Sequence, residues 1–371
     1  MCAVEYAPRL EALRQLLTQQ ELDALLVSSP ENRRYLSGFT AREELLSESC
    51  GYLLITRKDA WLLTDFRYQQ WARQEAPHFQ LQIYKSRVTE SLAELLRSLS
   101  IRCVGFEAGY LTYRQYQRLT QEIQEAGLEV SWQPQEGLVE GLREVKSSEE
   151  LAAIREALAL TEKVLLEVAA LLTPGWSERR VAWEIERRLR EEGAEGLAFA
   201  PIVAAGLNSA RPHHQPSDYQ LRMGDPIIID LGARLRGYCA DLTRTFILGN
   251  PSDRFKEVYS LVRRAQEAAI GGLRAGLKSD AADALGRDVI ADAGLGEAFG
   301  HSLGHGVGLA VHEAPSLSPH PDRATILKAG SVVTVEPGVY LPDWGGVRLE
   351  NLVLLHATHA EVLNQIGYYD F

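Results

Sequence analysis

The apolar positions of this chain change period several times along its length. From Arg9 to Gln20, Leu10, Leu13, Leu16 and Leu17 recur at helical spacing. Ala24 to Val27 is a short apolar run closed by Ser28-Ser29-Pro30, the pattern of a buried strand. Tyr52 to Ile55 and Trp61 to Leu63 flank Arg57-Lys58-Asp59 and predict a hairpin. Phe79, Leu81 and Ile83 alternate with polar residues, again a strand pattern. Leu92 to Leu99 and Tyr113 to Ile123 return to helical spacing, with a strand predicted between them at Ile101 to Phe106. Strands alternating with helices predict an α/β domain over residues 1–138.

The pattern then changes. In Ser147-Ser148-Glu149-Glu150, Glu150 stands three residues after Ser147, a capping box that starts a helix running to about Leu172. Pro174-Gly175 ends it, and a second helix is expected over about Glu178 to Glu192. After Pro201, strand-like runs dominate: Ile227 to Ile229, Thr243 to Leu248, Val332 to Val335 and Leu352 to Leu355. Two helical patterns, about Asp253 to Leu273 and Asp280 to Asp292, interrupt them. Helices segregated from strands predict an α+β domain over residues 139–371. The 371 residues suit two domains of ordinary size.

Composition narrows the function classes. Apolar residues at 46% and charged residues at 24% describe a globular chain with a core. Lys plus Arg number 39 against 50 for Asp plus Glu, a net charge of −11 that opposes binding to nucleic acid or an anionic membrane surface. Cys2, Cys50, Cys103 and Cys239 form no CxxC pair, which argues against a zinc ribbon or a disulfide scaffold. The N-terminus lacks an apolar signal core and no run approaches a membrane-spanning length. These features predict a cytoplasmic protein.

Five segments of the second domain concentrate ligand-type residues: Ile227-Ile-Ile-Asp230-Leu-Gly; Tyr238-Cys-Ala-Asp241-Leu-Thr243-Arg244; Gly300-His301 through Gly304-His305-Gly306 to His312-Glu313-Ala-Pro315; Thr334-Val-Glu336-Pro337; and Val347-Arg348-Leu-Glu350. Singly, each has an ordinary structural explanation. Asp230 can cap a turn, Asp241 can cap Thr243 or pair with Arg244, His305 can be structural, and Glu350 can face water or pair with Arg348. Glu336, between Val335 and Pro337 in a strand-like run, is an odd place for a solvated carboxylate. Together they put four carboxylates and one histidine beside apolar strands, where alternation aims Asp230, Glu336 and Glu350 into one concavity. Oxygen-rich ligands with one imidazole suit divalent manganese, cobalt, iron or zinc. Four carboxylates are too much charge for one divalent ion and balance two.

These five segments, in order, resemble the pita-bread metallopeptidase family, which includes methionine aminopeptidase, aminopeptidase P, prolidase and creatinase. The first domain resembles the creatinase/prolidase N-terminal domain through Leu63-Thr-Asp-Phe-Arg67-Tyr68 and Val104-Gly-Phe-Glu107, and Leu142-Arg143-Glu-Val-Lys146-Ser147 resembles the family's junction segment. The resemblance implies an α/β N-terminal domain joined to an α+β pita-bread catalytic domain. It implies that Asp230 holds one metal, that Asp241 and Glu350 bridge two, and that His305 and Glu336 hold the other. Glu336 also matches the carboxylate that takes a proton from the attacking water. His213, 17 residues before Asp230 in Arg211-Pro212-His213-His214, matches a substrate-binding histidine. His312 matches a histidine at the scissile carbonyl, and His301 and Arg348 match supporting substrate-side positions. Thr243 is expected to orient the bridging ligands. The expected cofactors are two divalent ions, with manganese first. The expected partners are peptides with proline second and a second copy of the chain in a homodimer.

Loss of the metals would leave a pita-bread binding module, and creatinases lack these ligands; all five ligand types present here argue against both. The N-terminal domain argues against methionine aminopeptidase. Dipeptide-specific prolidases often carry an arginine directly after the His-Glu-x-Pro segment to hold the proline carboxylate, whereas His312-Glu313-Ala314-Pro315 is followed here by Ser316. The expectation is therefore an Xaa-Pro aminopeptidase acting on longer peptides, with Xaa-Pro dipeptidase as the alternative if another cation, such as Arg211, substitutes.

Overall fold

The computed structural model describes residues 6–43, 45 and 47–369 and divides into two units, Met1–Arg143 and Glu144–Phe371. In the first, a six-stranded sheet has the order β4-β3-β2-β1-β5-β6, where β1 is Ala24–Val27, β2 Tyr52–Thr56, β3 Ala60–Asp65, β4 Gln80–Tyr84, β5 Cys103–Glu107 and β6 Ser131–Gln135. Helices α1 (Tyr6–Gln19), α2 (Pro30–Ser37), α3 (Gln69–Glu75), α4 (Val88–Ser98), α5 (Tyr113–Glu125) and α6 (Glu140–Arg143) complete it. The antiparallel β2–β3 pair is the hairpin that the charged Arg57-Lys58-Asp59 turn predicts. Leu92, Leu95 and Leu96 of α4 and Leu119 and Ile123 of α5 are buried with Leu26, Leu54 and Val104 of the sheet, so one apolar stripe of each helix meets the strands.

Helix α2 departs from the sequence pattern, which ends a strand at Ser28-Ser29-Pro30. The strand does end there, but Pro30 opens a helix. Ser29 caps it through its hydroxyl, and Gly38 closes it with φ +86°. The buried Glu107 carboxylate locks the entry, accepting from the Ser28 and Ser29 backbone N–H groups at 2.5 and 2.7 Å and from Asn32 Nδ2 at 2.6 Å.

The second unit is α+β. The Ser147 capping box forms: Ser147 Oγ accepts from Glu150 N at 3.3 Å and Glu150 Oε2 accepts from Ser147 N at 3.0 Å. It starts α7 (Ser148–Leu171), followed by α8 (Glu178–Glu191), α9 (Asp253–Gly272) and α10 (Ser279–Asp292). The strands are β7 (Gly196–Leu197), β8 (Ile202–Ala205), β9 (Pro226–Leu231), β10 (Ala233–Leu235), β11 (Tyr238–Cys239), β12 (Leu242–Ile247), β13 (Gly304–Gly306), β14 (Glu313–Leu317), β15 (Val332–Val335), β16 (Gly338–Leu341), β17 (Gly345–Arg348), β18 (Asn351–Leu355) and β19 (Ala360–Val362). They form an antiparallel β12-β9-β8 sheet, an antiparallel β14-β13-β15-β18-β19 sheet, a β16–β17 hairpin and a small β11-β10-β7 sheet.

Each main sheet has its own helical cover. Val164, Leu165 and Val168 of α7 and Val181 and Ile185 of α8 pack with Ile227 and Ile229 of β9. Phe255, Val258 and Val262 of α9 and Ala282 and Ile290 of α10 pack with Val333, Val335 and Val353. Burial of this apolar surface, at about 25 cal/mol per Å², holds the strand ends in place. No described helix is long and apolar enough to cross a membrane.

Candidate metal centre

Asp230 lies one residue from the end of β9, opposite Thr243 of β12 and Ile202 of β8, so the central strand of the small sheet presents it. Asp241 immediately precedes β12. Glu350 joins β17 to β18, and its N–H donates to Thr243 O at 3.1 Å. Glu336 follows β15 and its N–H donates to Leu303 O at 2.8 Å. His305 occupies the middle of β13, flanked by two glycines that have a steric reason. A Cβ on Gly304 would lie 2.0 Å from Thr334 O, and one on Gly306 would lie 2.2 Å from Ala314 O. This close approach of β13 to its neighbours requires glycine on both sides of His305.

Three overlapping groups of ligand-type atoms result, each with all atoms within 4.8 Å of one another: Asp230, Asp241 and Glu350; His305, Glu336 and Glu350; and Asp241, His305 and His312. His305 Nδ1 is directed at Gly306 O at 3.1 Å, which leaves Nε2 facing Glu336 Oε1 at 3.3 Å and Asp241 Oδ2 at 3.6 Å. Fixing one ring nitrogen on a carbonyl is how a protein sets the other as a metal ligand. Asp230 Oδ1 and Glu350 Oε1 are buried and have no hydrogen-bond partner among the described residues. Orphaned buried carboxylate oxygens are costly, and a divalent cation is the group that would satisfy them.

The electrostatics agree. Burial, then the charges of Glu350, Asp230 and Glu336, pushes the Asp241 carboxyl well above its ordinary range. Burial, then Glu336 and Asp230, does the same to Glu350. Asp230 is raised by burial despite the opposing charge of Arg348. Glu336 goes the other way: burial opposes ionisation, but the hydrogen bond and charge of His305, with His301 and Arg348, hold it down at about 2. A set of carboxylates that repel one another into protonation is a set short of positive charge, and the donor types fit two divalent ions.

The surrounding polar groups are spoken for. Thr243 Oγ1 donates to Glu350 Oε2 at 2.7 Å and accepts from Arg348 Nε at 3.2 Å. Arg348 also donates to Asp230 Oδ2 at 2.6 Å, Tyr340 Oη at 3.0 Å and Pro212 O at 3.3 Å. The sequence allowed Glu350 to pair with Arg348 and Asp241 with Arg244; instead Arg348 pairs with Asp230, and Arg244 holds backbone carbonyls and Asn351 Oδ1. His301 Nδ1 faces Ser302 O and its Nε2 faces Tyr340 Oη, both at 2.9 Å, so Tyr340 is a supporting group the sequence reading passed over. Burial lowers the His301 and His312 imidazoles below their usual value, for His312 with help from His305.

A cavity of about 500 Å³ opens onto this centre. It is lined by all five ligand candidates, by His213, His214, His301, His312, Ser316 and Arg348, and by an apolar wall of Phe199, Pro201, Ile202, Pro212 and Pro216. His213 is exposed at it, and His312 stacks edge-on against His305 with ring centres 4.2 Å apart. Arg211 is exposed and is not among the lining residues.

Residues 152–357 match the model of metallopeptidase family M24, and residues 9–145 match the creatinase/prolidase N-terminal domain. The chain is 32% identical to an Xaa-Pro dipeptidase of Pyrococcus furiosus over 96% of this chain and 97% of the relative. The structure resembles an Xaa-Pro dipeptidase from Bacillus anthracis at TM-score 0.92, with 36% identity and coverage of 98% and 99% of the two chains. It resembles an X-Pro aminopeptidase from Thermotoga maritima at TM-score 0.85, with 35% identity and coverage of 94% and 97%. The chain therefore belongs to the pita-bread metallopeptidases of family M24, and is an enzyme with a creatinase/prolidase-type N-terminal domain.

Proposed function

We propose that this enzyme is a two-metal exopeptidase that hydrolyses the bond between an N-terminal residue and a following proline, and that its preferred substrates are Xaa-Pro dipeptides. The observation that carries the chemistry is the convergence of Asp230, Asp241, His305, Glu336 and Glu350, with two buried carboxylate oxygens left unpaired. In this reading Asp230 would hold one ion, His305 and Glu336 would hold the other, and Asp241 and Glu350 would serve both. Bound there, two divalent ions would activate water and polarise the scissile carbonyl. The length preference draws on the relatives named as dipeptidases at 32% and 36% identity over nearly the whole chain.

Glu336, held ionised beside His305, accepts a proton from the attacking water and returns it to the proline nitrogen as the C–N bond breaks. Xaa becomes a free carboxylate and proline a free secondary amine. The scissile bond is a tertiary amide with no N–H to donate, so the proline residue is recognised by shape, and the wall of Pro212, Pro216, Ile202 and Phe199 offers a flat apolar surface for its ring. His213 and His312 line the cavity, and in this reading they contact the substrate. His301 and Arg348 line the same cavity, and their polar atoms, engaged within the protein, hold its shape rather than reach outward. The proposal includes manganese as the resident ion, a cytoplasmic homodimer, and residues 1–138 and 139–371 as its domains. It is supported by the carboxylate-rich donors and the two separate family matches.

A second reading, Xaa-Pro aminopeptidase, is favoured by Ser316, which offers no charge to a proline carboxylate. Comparing kcat/KM for Ala-Pro, Ala-Pro-Ala and Ala-Ala on the manganese-loaded enzyme separates the two. The proposal expects Ala-Pro to lead and Ala-Ala to be inert. Preference for Ala-Pro-Ala moves the enzyme to the second reading, and efficient cleavage of Ala-Ala rejects proline specificity.

A further inference from the structure

Glu350 stands between β17 and β18, where the chain leaves a hairpin for the five-stranded sheet, so its backbone groups need partners from elsewhere. Its N–H donates to Thr243 O at 3.1 Å, and its carbonyl accepts from Arg244 Nη1. Thr243 and Arg244 are successive residues of β12, and their side chains leave opposite faces of the strand. Thr243 Oγ1 takes the Glu350 carboxylate and Arg244 takes the Glu350 carbonyl.

Arg244 is buried, and all five N–H donors of its guanidinium are engaged. Nη1 donates to Thr243 O at 3.0 Å and to Glu350 O. Nη2 donates to Asn351 Oδ1 at 2.9 Å and to Ile366 O at 3.1 Å, and Nε donates to Gly367 O at 3.3 Å. Three of these acceptors belong to Glu350, to the next residue Asn351 and to Thr243. The other two belong to the segment Asn364–Tyr369, which has no regular secondary structure. No carboxylate among the described residues forms an ion pair with the guanidinium, and burial pulls it below its usual range. A buried cation held by carbonyls alone is costly, and here it joins two parts of the chain that have no strand ladder between them.

The segment is tied down at further points. Glu162 Oε1 of α7 accepts from Gln365 N at 2.8 Å and Ile366 N at 3.2 Å. Asn364 Oδ1 accepts from Leu352 N of β18 at 2.7 Å, and Tyr259 Oη of α9 accepts from Tyr369 N at 2.8 Å. Whatever holds this segment therefore holds Arg244, and Arg244 holds the backbone of Glu350. A carboxylate that serves two ions must keep its place closely. Lysine could not substitute: it offers three donors in place of five and no planar fork.

We propose that Arg244 is a positioning residue for the metal-bridging Glu350 and that Asn364–Tyr369 is the strap that locks it, so that metal occupancy and closure of the strap stabilise each other. The inference rests on the two-ion reading above. The coupling is reciprocal: the factor that strap opening takes from metal affinity is the factor that bound metal takes from strap opening.

The test compares hydrogen exchange of the Gln365, Ile366 and Tyr369 amides in chelated and manganese-loaded enzyme, with manganese affinity titrated alongside. Loading should slow these amides about tenfold. Arg244→Lys should weaken manganese binding by the folded protein about 10–100-fold. In that variant, saturating manganese should still slow the Val333 and Val353 amides but no longer slow the strap. Glu162→Ala leaves Arg244 and every ligand candidate in place; it should weaken manganese binding about fivefold or more, and it serves if Arg244→Lys does not fold. Strap amides that exchange equally in chelated and loaded wild type, or unchanged manganese affinity in the folded variants, overturn the inference alone. Equal slowing of the strap in wild type and Arg244→Lys makes Arg244 merely structural and overturns it too. A wild-type enzyme that binds no manganese overturns the two-ion reading, and the inference with it.

Discussion

Replacing Asp241 by asparagine should stabilise the metal-free enzyme and abolish its response to metal, two effects of opposite sign from one atom-for-atom change. Asp241 is 5% exposed, and burial and three neighbouring carboxylates raise its carboxyl well above the ordinary value. In the unfolded chain that carboxyl ionises near pH ~3.9, so between that pH and its folded value the folded metal-free state binds the extra proton. Stability is then present at low pH and lost as pH rises, at about 1.4 kcal/mol per pH unit. By pH 7 the largest possible cost is about 4 kcal/mol, and the coupled neighbours share it, so about 2 kcal/mol is assigned to Asp241. Asparagine removes that cost while keeping the shape. For a folding unit of this size the gain corresponds to a rise in Tm of about 4–8 °C. Wild-type enzyme should recover more than this on adding metal, since occupancy at a thousand times Kd contributes about 4 kcal/mol. Thermal unfolding of chelated and manganese-loaded protein at pH 5 and pH 8 tests both halves. A lower metal-free Tm for Asp241→Asn at pH 8, or an undiminished metal-induced rise in that variant, would refute the reasoning.

Thr243→Val removes the 2.7 Å hydrogen bond to Glu350 and should weaken metal binding by about 10–100-fold without unfolding the chain, read by metal titration. Arg348→Lys keeps a charge but loses the fork joining Asp230, Thr243 and Tyr340, and should lower kcat/KM at least about tenfold and Tm by several degrees. In the first unit, Arg33 and Glu43 form a buried ion pair at 2.7 Å; Glu43→Gln should cost about 3 kcal/mol in denaturant titration and leave kcat on Ala-Pro unchanged.

The long periodic elements were legible in the sequence. The strand at Ala24–Val27 and the helices from Ser148, Glu178 and Asp253 carry their signals in local spacing and caps, which single-sequence patterns record. What escaped was structure imposed by neighbours. β6 reads Ser131-Trp-Gln-Pro-Gln, with no alternation and a proline, and is a strand because an edge position tolerates Pro134. β13 is Gly-His-Gly, three residues with no apolar side chain, ordered by the strands on either side. The ligand-type residues were legible because carboxylates beside apolar strands are anomalous in sequence as well as in space. The hydrogen bond between Glu178 and the cavity-lining His214 was not: its partners are 36 residues apart, Glu178 looks like any helix-starting acid, and His214 stands in the shadow of His213. Tyr340 escaped because nothing local reveals that its hydroxyl bridges His301 and Arg348.

If the second unit assembles a two-ion centre that performs Xaa-Pro cleavage, bound metal and turnover rise together. The direct measurement is titration of chelated enzyme with manganese while Ala-Pro hydrolysis is followed, with bound metal counted in the same samples. The chelated enzyme should show no turnover, and turnover should rise to a plateau as bound manganese reaches two ions per chain. Full Ala-Pro hydrolysis in the chelated enzyme, or metal binding that saturates with Asp241, Glu336 and Glu350 all replaced, would contradict it.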